Sequence, residues 1–164
     1  MNPDTLSLFR ESEDSYGNEY KMHLFEQYRL YVEMVDRVSA RRMLANSFFV
    51  GVNTTLITAF TILLKEGIFH RSFISYVPFL AAILLCFVWW RIVFSYRQLN
   101  SGKFRVIHAL EARLPAAPYD AEWEALGAGR NAKLYRPLTD VENWVPICFG
   151  LLYLILACIL WSQI

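Results

Sequence analysis

Three stretches of this chain, residues 43–64, 72–90 and 143–164, contain no Asp, Glu, Lys or Arg. Each matches the roughly 20 apolar residues that a helix needs to cross about 30 Å of hydrocarbon. A soluble protein of this size rarely leaves one buried helix uncharged on every face, and three is rarer still. The borders fit the same reading. Arg41 and Arg42 precede the first stretch and Lys65 follows it, Arg71 and Arg91 frame the second, and Glu142 precedes the third. Trp89 and Trp90 close the second. Trp144 and Trp161 bracket the third, about 25 Å apart by helical rise, at depths that indole rings favour. Pro146 falls near the start of the third stretch, where a missing N–H costs least. Thr139 and Glu142 have the spacing of a capping box. The expected fold class is an all-α membrane protein with three transmembrane helices.

Charge sets the orientation. Only 19% of residues are charged and the net charge is +1, so no global field marks a nucleic-acid binder. Arg29, Arg37, Arg41 and Arg42 precede the first span. Arg91, Arg97, Lys103, Arg105, Arg113, Arg130, Lys133 and Arg136 lie between the second and third, against Lys65 and Arg71 in the first connection. The positive-inside rule then places the N-terminus and residues 91–142 in the cytoplasm and the C-terminus in the periplasm. The first forty-odd residues lack the basic start, apolar core and cleavage site of a secretory signal. Asn53-Thr54-Thr55 fits the glycosylation pattern but lies inside an apolar run, out of a transferase's reach.

Outside the spans, residues 1–19 carry Asp4, Glu11, Glu13, Asp14 and Glu19 with little apolar content, which predicts a flexible acidic tail. From Tyr20 the pattern changes. Leu24, Tyr28, Tyr31, Val35 and Val38 recur at helical spacing as one packed seam. Glu26–Arg29, Arg29–Glu33 and Glu33–Arg37 can pair along other faces. Beyond Arg91 a second seam runs through Val93, Tyr96, Leu99, Phe104, Ile107, Leu110 and Leu114 to Pro115, with a weak point and candidate kink at Asn100-Ser101-Gly102. The two arms match in length and a short loop joins their spans, so residues 20–114 are expected to form one long antiparallel helical hairpin, half in lipid and half in cytoplasm. Residues 115–138 form a linker broken by Pro115, Pro118, Pro137, Gly127 and Gly129. Within it Asp120 could cap a short helix that ends at Gly127, with Trp123 and Leu126 on one face. The third transmembrane helix fills 139–164.

No chemistry-bearing constellation emerges. Cys86, Cys148 and Cys158 sit in apolar runs and read as small hydrophobes, and His23, His70 and His108 share no metal-ligand spacing. Gly127-Ala128-Gly129 lacks the Lys-Ser/Thr and preceding strand of a phosphate loop. Neither a catalytic site nor a cofactor is expected. Two groups remain as candidates. Ser47, Gly51, Thr54, Thr58 and Thr61 form a small, polar stripe on the first span with Asn53 beside it, suited to close helix packing or to lining a wet path through an oligomer. Arg41, Arg42, Arg91, Arg97, Lys103 and Arg105 could hold lipid headgroups, and Arg97, Lys103 and Arg105 could together grip a cytoplasmic anion.

Three blocks of residues carry a family resemblance. They are Glu26-Gln27-Tyr28 through Asp36-Arg37, Ala40-Arg41-Arg42, Ala45-Asn46-Ser47-Phe48-Phe49 and Asn53-Thr54; then Trp90, Ser95-Tyr96-Arg97, Leu99-Asn100, Lys103-Phe104, Ile107, Glu111, Leu114-Pro115 and Glu122-Trp123; then Tyr135, Glu142 and Val145-Pro146. Together the chain resembles the RipA-like bacterial membrane proteins. The resemblance implies a bacterial cytoplasmic-membrane protein that assembles as a homo-octamer, and it brings no catalytic residues. The expected role is a ring or scaffold that contacts itself, membrane lipids and an unidentified cytoplasmic or membrane protein. The alternative is a pore-forming effector, since the chain is more loosely similar to the helical-hairpin effectors of nucleotide-triggered immunity.

Overall fold

The computed structural model describes residues 8–69, 72–131, 134–135 and 138–162, with the side chains of 138–140 left aside. Asp4, His70, Arg71, Lys133, Arg136, Pro137, the Thr139 side chain and Ile164 therefore lie outside the described residues. The elements are α1 (Glu13–Tyr16), α2 (Tyr20–Lys65), α3 (Val77–Glu111), α4 (Pro118–Ala125) and α5 (Leu138–Ser162), with 3-10 turns at Phe73–Tyr76 and Gly127–Gly129. No strand occurs among the described residues. Three helices are long and apolar enough to cross a membrane, within Tyr20–Lys65, Phe73–Glu111 and Val141–Ser162.

The helix ends follow local chemistry. Gly67, at φ 66°, lets α2 close with Ile68 N–H donating to the Leu63 carbonyl at 3.1 Å and Gly67 N–H to Leu64 at 3.1 Å. This is the Schellman pattern that glycine permits at no steric cost. Ser72 accepts from Ile74 N–H at 3.3 Å and opens the 3-10 turn that leads into α3. α3 runs unbroken through Asn100-Ser101-Gly102, where the sequence suggested a kink. α5 begins at Leu138, ahead of the expected Thr139–Glu142 capping box, so Pro146 lies inside the helix rather than near its start. There the missing N–H leaves the Glu142 carbonyl without its usual helical donor.

The chain divides into two compact units, one of residues 1–40 and 97–136 and one of residues 41–96 and 137–164. The second unit contains the apolar spans. Its core is Phe60, Leu64, Phe79, Ala82, Cys86, Tyr153 and Leu160, continued by Phe49, Trp89 and Val93. Rings fill much of it. Phe60 meets Phe79 at 4.9 Å and Tyr153 at 5.9 Å between centroids, and Phe49 stacks on Trp89 at 5.6 Å. Large apolar side chains face outward on all three helices, among them Leu44, Phe48 and Ile62 of α2, Leu80, Leu84 and Phe87 of α3 and Leu151, Leu154 and Ile155 of α5. Lipid tails are the natural environment for such faces.

The first unit holds the arms. Leu24 and Val35 of α2 and Ile107 and Leu110 of α3 are buried, as the two seams predict, whereas Leu99 of the second seam is exposed. Glu26–Arg29 pair at 3.0 Å and Glu33 pairs with Arg37 on the outer face. Residues 8–19, expected as a loose tail, are docked. Ser12 and Ser15 form a capping box that starts α1, Glu13 pairs with Lys21 at 2.9 Å, and Phe9 lies 3.4 Å beneath the Arg113 guanidinium. Arg113 in turn donates to the Tyr20 hydroxyl at 2.8 Å.

Candidate functional site

α2 presents two different faces to the span unit. Asn46, Phe49, Asn53, Phe60 and Leu64 share the inner face at helical spacing. Asn53 is fully buried and ties all three spans together. Its Nδ2 donates to the Phe49 carbonyl at 2.8 Å. Its Oδ1 accepts from the Tyr153 hydroxyl on α5 at 3.0 Å and from the Cys86 thiol on α3 at 3.3 Å. The Tyr153 hydroxyl also lies 3.2 Å from the Asn53 carbonyl. Above this node Trp89 donates its indole N–H to Asn46 Oδ1 at 2.9 Å. Arg42 and Glu142, both largely buried, form an ion pair at 3.5 Å between α2 and α5.

A small, hydroxylated stripe runs along the outer face of α2, flanked by the exposed Leu44, Phe48 and Ile62. Ser47, Gly51, Thr54, Thr58 and Thr61 are all exposed in the single chain. Two of the donors are already spent: Thr58 Oγ1 donates to the Thr54 carbonyl at 2.9 Å and Thr61 Oγ1 to Ile57 at 2.7 Å. Thr55, next to them, donates to Gly51 at 2.9 Å. A threonine that bonds its own i−4 carbonyl shows its surroundings mainly a methyl group. A Cβ placed on Gly51 would meet nothing within 4 Å. At Gly51 the surface is therefore low and open.

Asn53, grouped in sequence with this stripe, belongs to the opposite, buried face. Trp89, read there as an interfacial ring, is fully buried. Cys86 is a buried hydrogen-bond donor as well as a small hydrophobe. Asn46, Tyr153 and Cys86 were missed as partners of the node. The available signal was the recurrence of Asn46, Phe49, Asn53 and Phe60 on one helical face.

In the arm unit Glu111 plays the comparable part. It is 2% exposed, and its Oε1 accepts from the Tyr28 hydroxyl at 2.9 Å and the Tyr119 N–H at 3.0 Å. Its Oε2 accepts from the Asp120 N–H at 3.2 Å. Those amides open α4. Ala117 at the N-cap supplies no side-chain bond and Pro118 stands in the first turn, so a carboxylate from α3 caps α4 from outside, and Asp120 is capped rather than capping. Desolvation, then the hydrogen bond and charge of Glu111, push the Tyr28 phenol up to about 12. Tyr119 is raised by desolvation and then by Asp36, Glu122 and Glu111.

The basic candidates divide. Arg41, Arg91, Arg97 and Arg105 are exposed, Arg42 pairs with Glu142, and Arg42, Arg97 and Arg105 each have a further interaction. Lys103 is 9% exposed, with Nζ 4.9 Å from the Tyr31 ring centroid. Two residues from Arg105, it points to another side of the helix, so it does not join Arg105 in one anion grip. Among the described residues no three His, Cys, Asp or Glu side chains converge as a metal site.

Comparison with known proteins gives one match. The sequence model described as octameric membrane protein family (8xMP) covers residues 25–162. No curated protein and no solved structure matches the chain.

Proposed function

The chain belongs to the octameric membrane protein family, and from that premise we propose that its copies pack through the outer face of α2 into a homo-octameric ring or scaffold. The observation that carries this reading is the contrast between faces. All three helices expose large apolar side chains, but α2 alone carries an exposed run of small and hydroxylated residues at helical spacing, Ser47, Gly51, Thr54, Thr58 and Thr61, between Leu44, Phe48 and Ile62. Without a hydrophobic drive between helices in lipid, small residues that admit close backbones are what favour association. The Thr58 and Thr61 hydroxyls donate to their own helix, which suits a dry contact better than a water-lined path.

The ring sits in a bacterial cytoplasmic membrane, with the arm unit cytoplasmic and the C-terminal end of α5 periplasmic, an orientation supported by the Lys/Arg asymmetry. The exposed Arg41 and Arg91 meet anionic headgroups, each worth about 1 kcal/mol near the surface. The polar node around Asn53 fixes the register of the three spans, and Glu111 fixes α4 to the arms. Both are positioning devices. The role is structural, without catalysis by this chain, and it presents the arm units to a cytoplasmic or membrane protein.

The test is Thr58→Cys in native membranes. A packed face leaves the thiol unlabelled by a membrane-impermeant maleimide while the oligomer stays intact, and induced expression leaves the membrane potential unchanged. Rapid labelling in an intact oligomer, with collapse of the potential, identifies a pore.

A further inference from the structure

A concave site lies in the arm unit, unrelated to the packing of the spans. Between the α3 arm and the α4 segment a half-open cavity of about 520 Å³ is lined by Phe104, Tyr119, Trp123 and Tyr135, with Arg105 and Glu122 on its walls. That volume falls within the range of small-molecule sites. The rings are held in place from behind. Phe104 meets Tyr119 edge-on at 5.7 Å, and Tyr119 is anchored by its N–H to Glu111. Gly127, Ala128 and Gly129 have consecutive positive φ values of 77°, 50° and 71°, a left-handed turn that costs the alanine strain. The turn brings the chain so close that a Cβ on Gly129 would lie 3.0 Å from Trp123 Cη2.

Among the described residues, carboxylates gather on and beside the lining. Glu122 lines the cavity and no described ion pair engages it. His108, also on the lining, has Nδ1 3.6 Å from Asp120 and 3.8 Å from the buried Glu111. Arg105 opposes them with one positive charge, and it has an interaction of its own. The Tyr119 phenol registers the same field, since Asp36, Glu122 and Glu111 add to burial in raising it. Several aromatic side chains lining a cavity with a carboxylate are a composition that attracts a weakly hydrated cation, through the negative face of a π-system.

We infer that the cavity framed by Phe104, Tyr119, Trp123 and Tyr135 beside Glu122 binds an organic ammonium group, of the alkylated kind carried by choline. A free solute and a lipid headgroup share that chemistry. In the first case the arm unit senses a soluble cation; in the second it grips a choline-type headgroup.

The experiment is isothermal titration calorimetry of the full chain in maltoside micelles, which carry no ammonium headgroup. Tetramethylammonium chloride is the probe, and potassium phosphate is the opposing anion. Saturable heat is expected with tetramethylammonium and none with phosphate. Glu122→Gln, at an exposed position, should weaken binding by roughly three- to thirtyfold and Trp123→Ala by at least as much, while Trp123→Phe loses less. Helix content by circular dichroism should stay unchanged in the Glu122→Gln chain. Dilution heat alone, wild-type affinity in both Glu122→Gln and Trp123→Ala, or saturable binding of phosphate in place of the cation overturns the inference. Repeating the titration in phosphatidylcholine and phosphatidylglycerol nanodiscs separates the sources. Weaker apparent binding in phosphatidylcholine identifies the headgroup as occupant, and equal binding identifies a soluble cation.

Discussion

Truncating Asn53 to alanine probes the node on which the three spans converge. The side chain is fully buried, and Asn53→Ala removes the acceptor of the Tyr153 hydroxyl at 3.0 Å and of the Cys86 thiol at 3.3 Å. Interhelical hydrogen bonds within lipid average about 0.6 kcal/mol and reach about 1.7. The short tyrosine bond and the weak thiol bond together then contribute about 1 kcal/mol. The tyrosine is not orphaned, because its hydroxyl still lies 3.2 Å from the Asn53 carbonyl. The amide's removal leaves a cavity of about 40 Å³, which adds roughly 1 kcal/mol at 24 cal/mol per Å³. The expected loss is about 2 kcal/mol for Asn53→Ala and about 1 kcal/mol for Tyr153→Phe, which removes the bond without the cavity. The double variant should lose about 2 rather than 3 kcal/mol, since the shared bond can be lost only once. Thr55→Ala, whose hydroxyl serves only its own helix at an exposed position, should stay within about 0.5 kcal/mol. Reversible unfolding in mixed micelles, followed by circular dichroism, measures all four. Strict additivity of Asn53→Ala and Tyr153→Phe, or a cost for Asn53→Ala no larger than for Thr55→Ala, refutes the node.

Three further outcomes follow from the arms and the charge pattern. Glu111→Ala strips charge-assisted bonds from Tyr28, Tyr119 and Asp120, for a loss of about 3 kcal/mol and faster hydrogen exchange at the 119 and 120 amides. Tyr28 is held neutral in the fold, its value raised from 10.0 to about 12, so its stabilisation is complete below pH 10 and fades as pH rises from there to about 12. Tyr28→Phe should flatten that alkaline limb in an unfolding series against pH. A reporter active only in the periplasm should be active when fused after Ile164 and silent at the N-terminus, and the reverse pattern inverts the proposed orientation.

The spans were legible because hydrocarbon thickness sets a length that charge-free runs either meet or miss. The arm seams were legible for a similar reason: Leu24, Val35, Ile107 and Leu110 repeat with the helix. Features that depend on partners far along the chain were hidden. Trp89 closes an apolar run and so reads as interfacial, yet Asn46 supplies the acceptor that allows its indole N–H to be buried. Asn53 stands next to Thr54 in sequence, but one residue turns a helix by about 100°, and its acceptor role depends on Tyr153 in another helix. The start of α4 was misplaced because its cap comes from Glu111 on α3, and the cap rules see only neighbours. The docked tail was missed because Phe9 finds its partner in Arg113. The stripe was visible as a stripe, and the structure adds that the Thr58 and Thr61 hydroxyls bond their own helix and that all five residues are exposed.

The packing of copies through α2 is tested most directly at Gly51. A Cβ there meets nothing within 4 Å in the single chain, so a side chain at this exposed position starts out into open space. Between copies it would force the backbones apart, at a typical cost of roughly 1–3 kcal/mol per contact. Native mass spectrometry from mild detergent should show the wild type at about eight times the 19.1 kDa of one chain, and Gly51→Leu as smaller species with unchanged helix content. A Gly51→Leu protein that keeps the wild-type mass would contradict the assignment of this face to the interface.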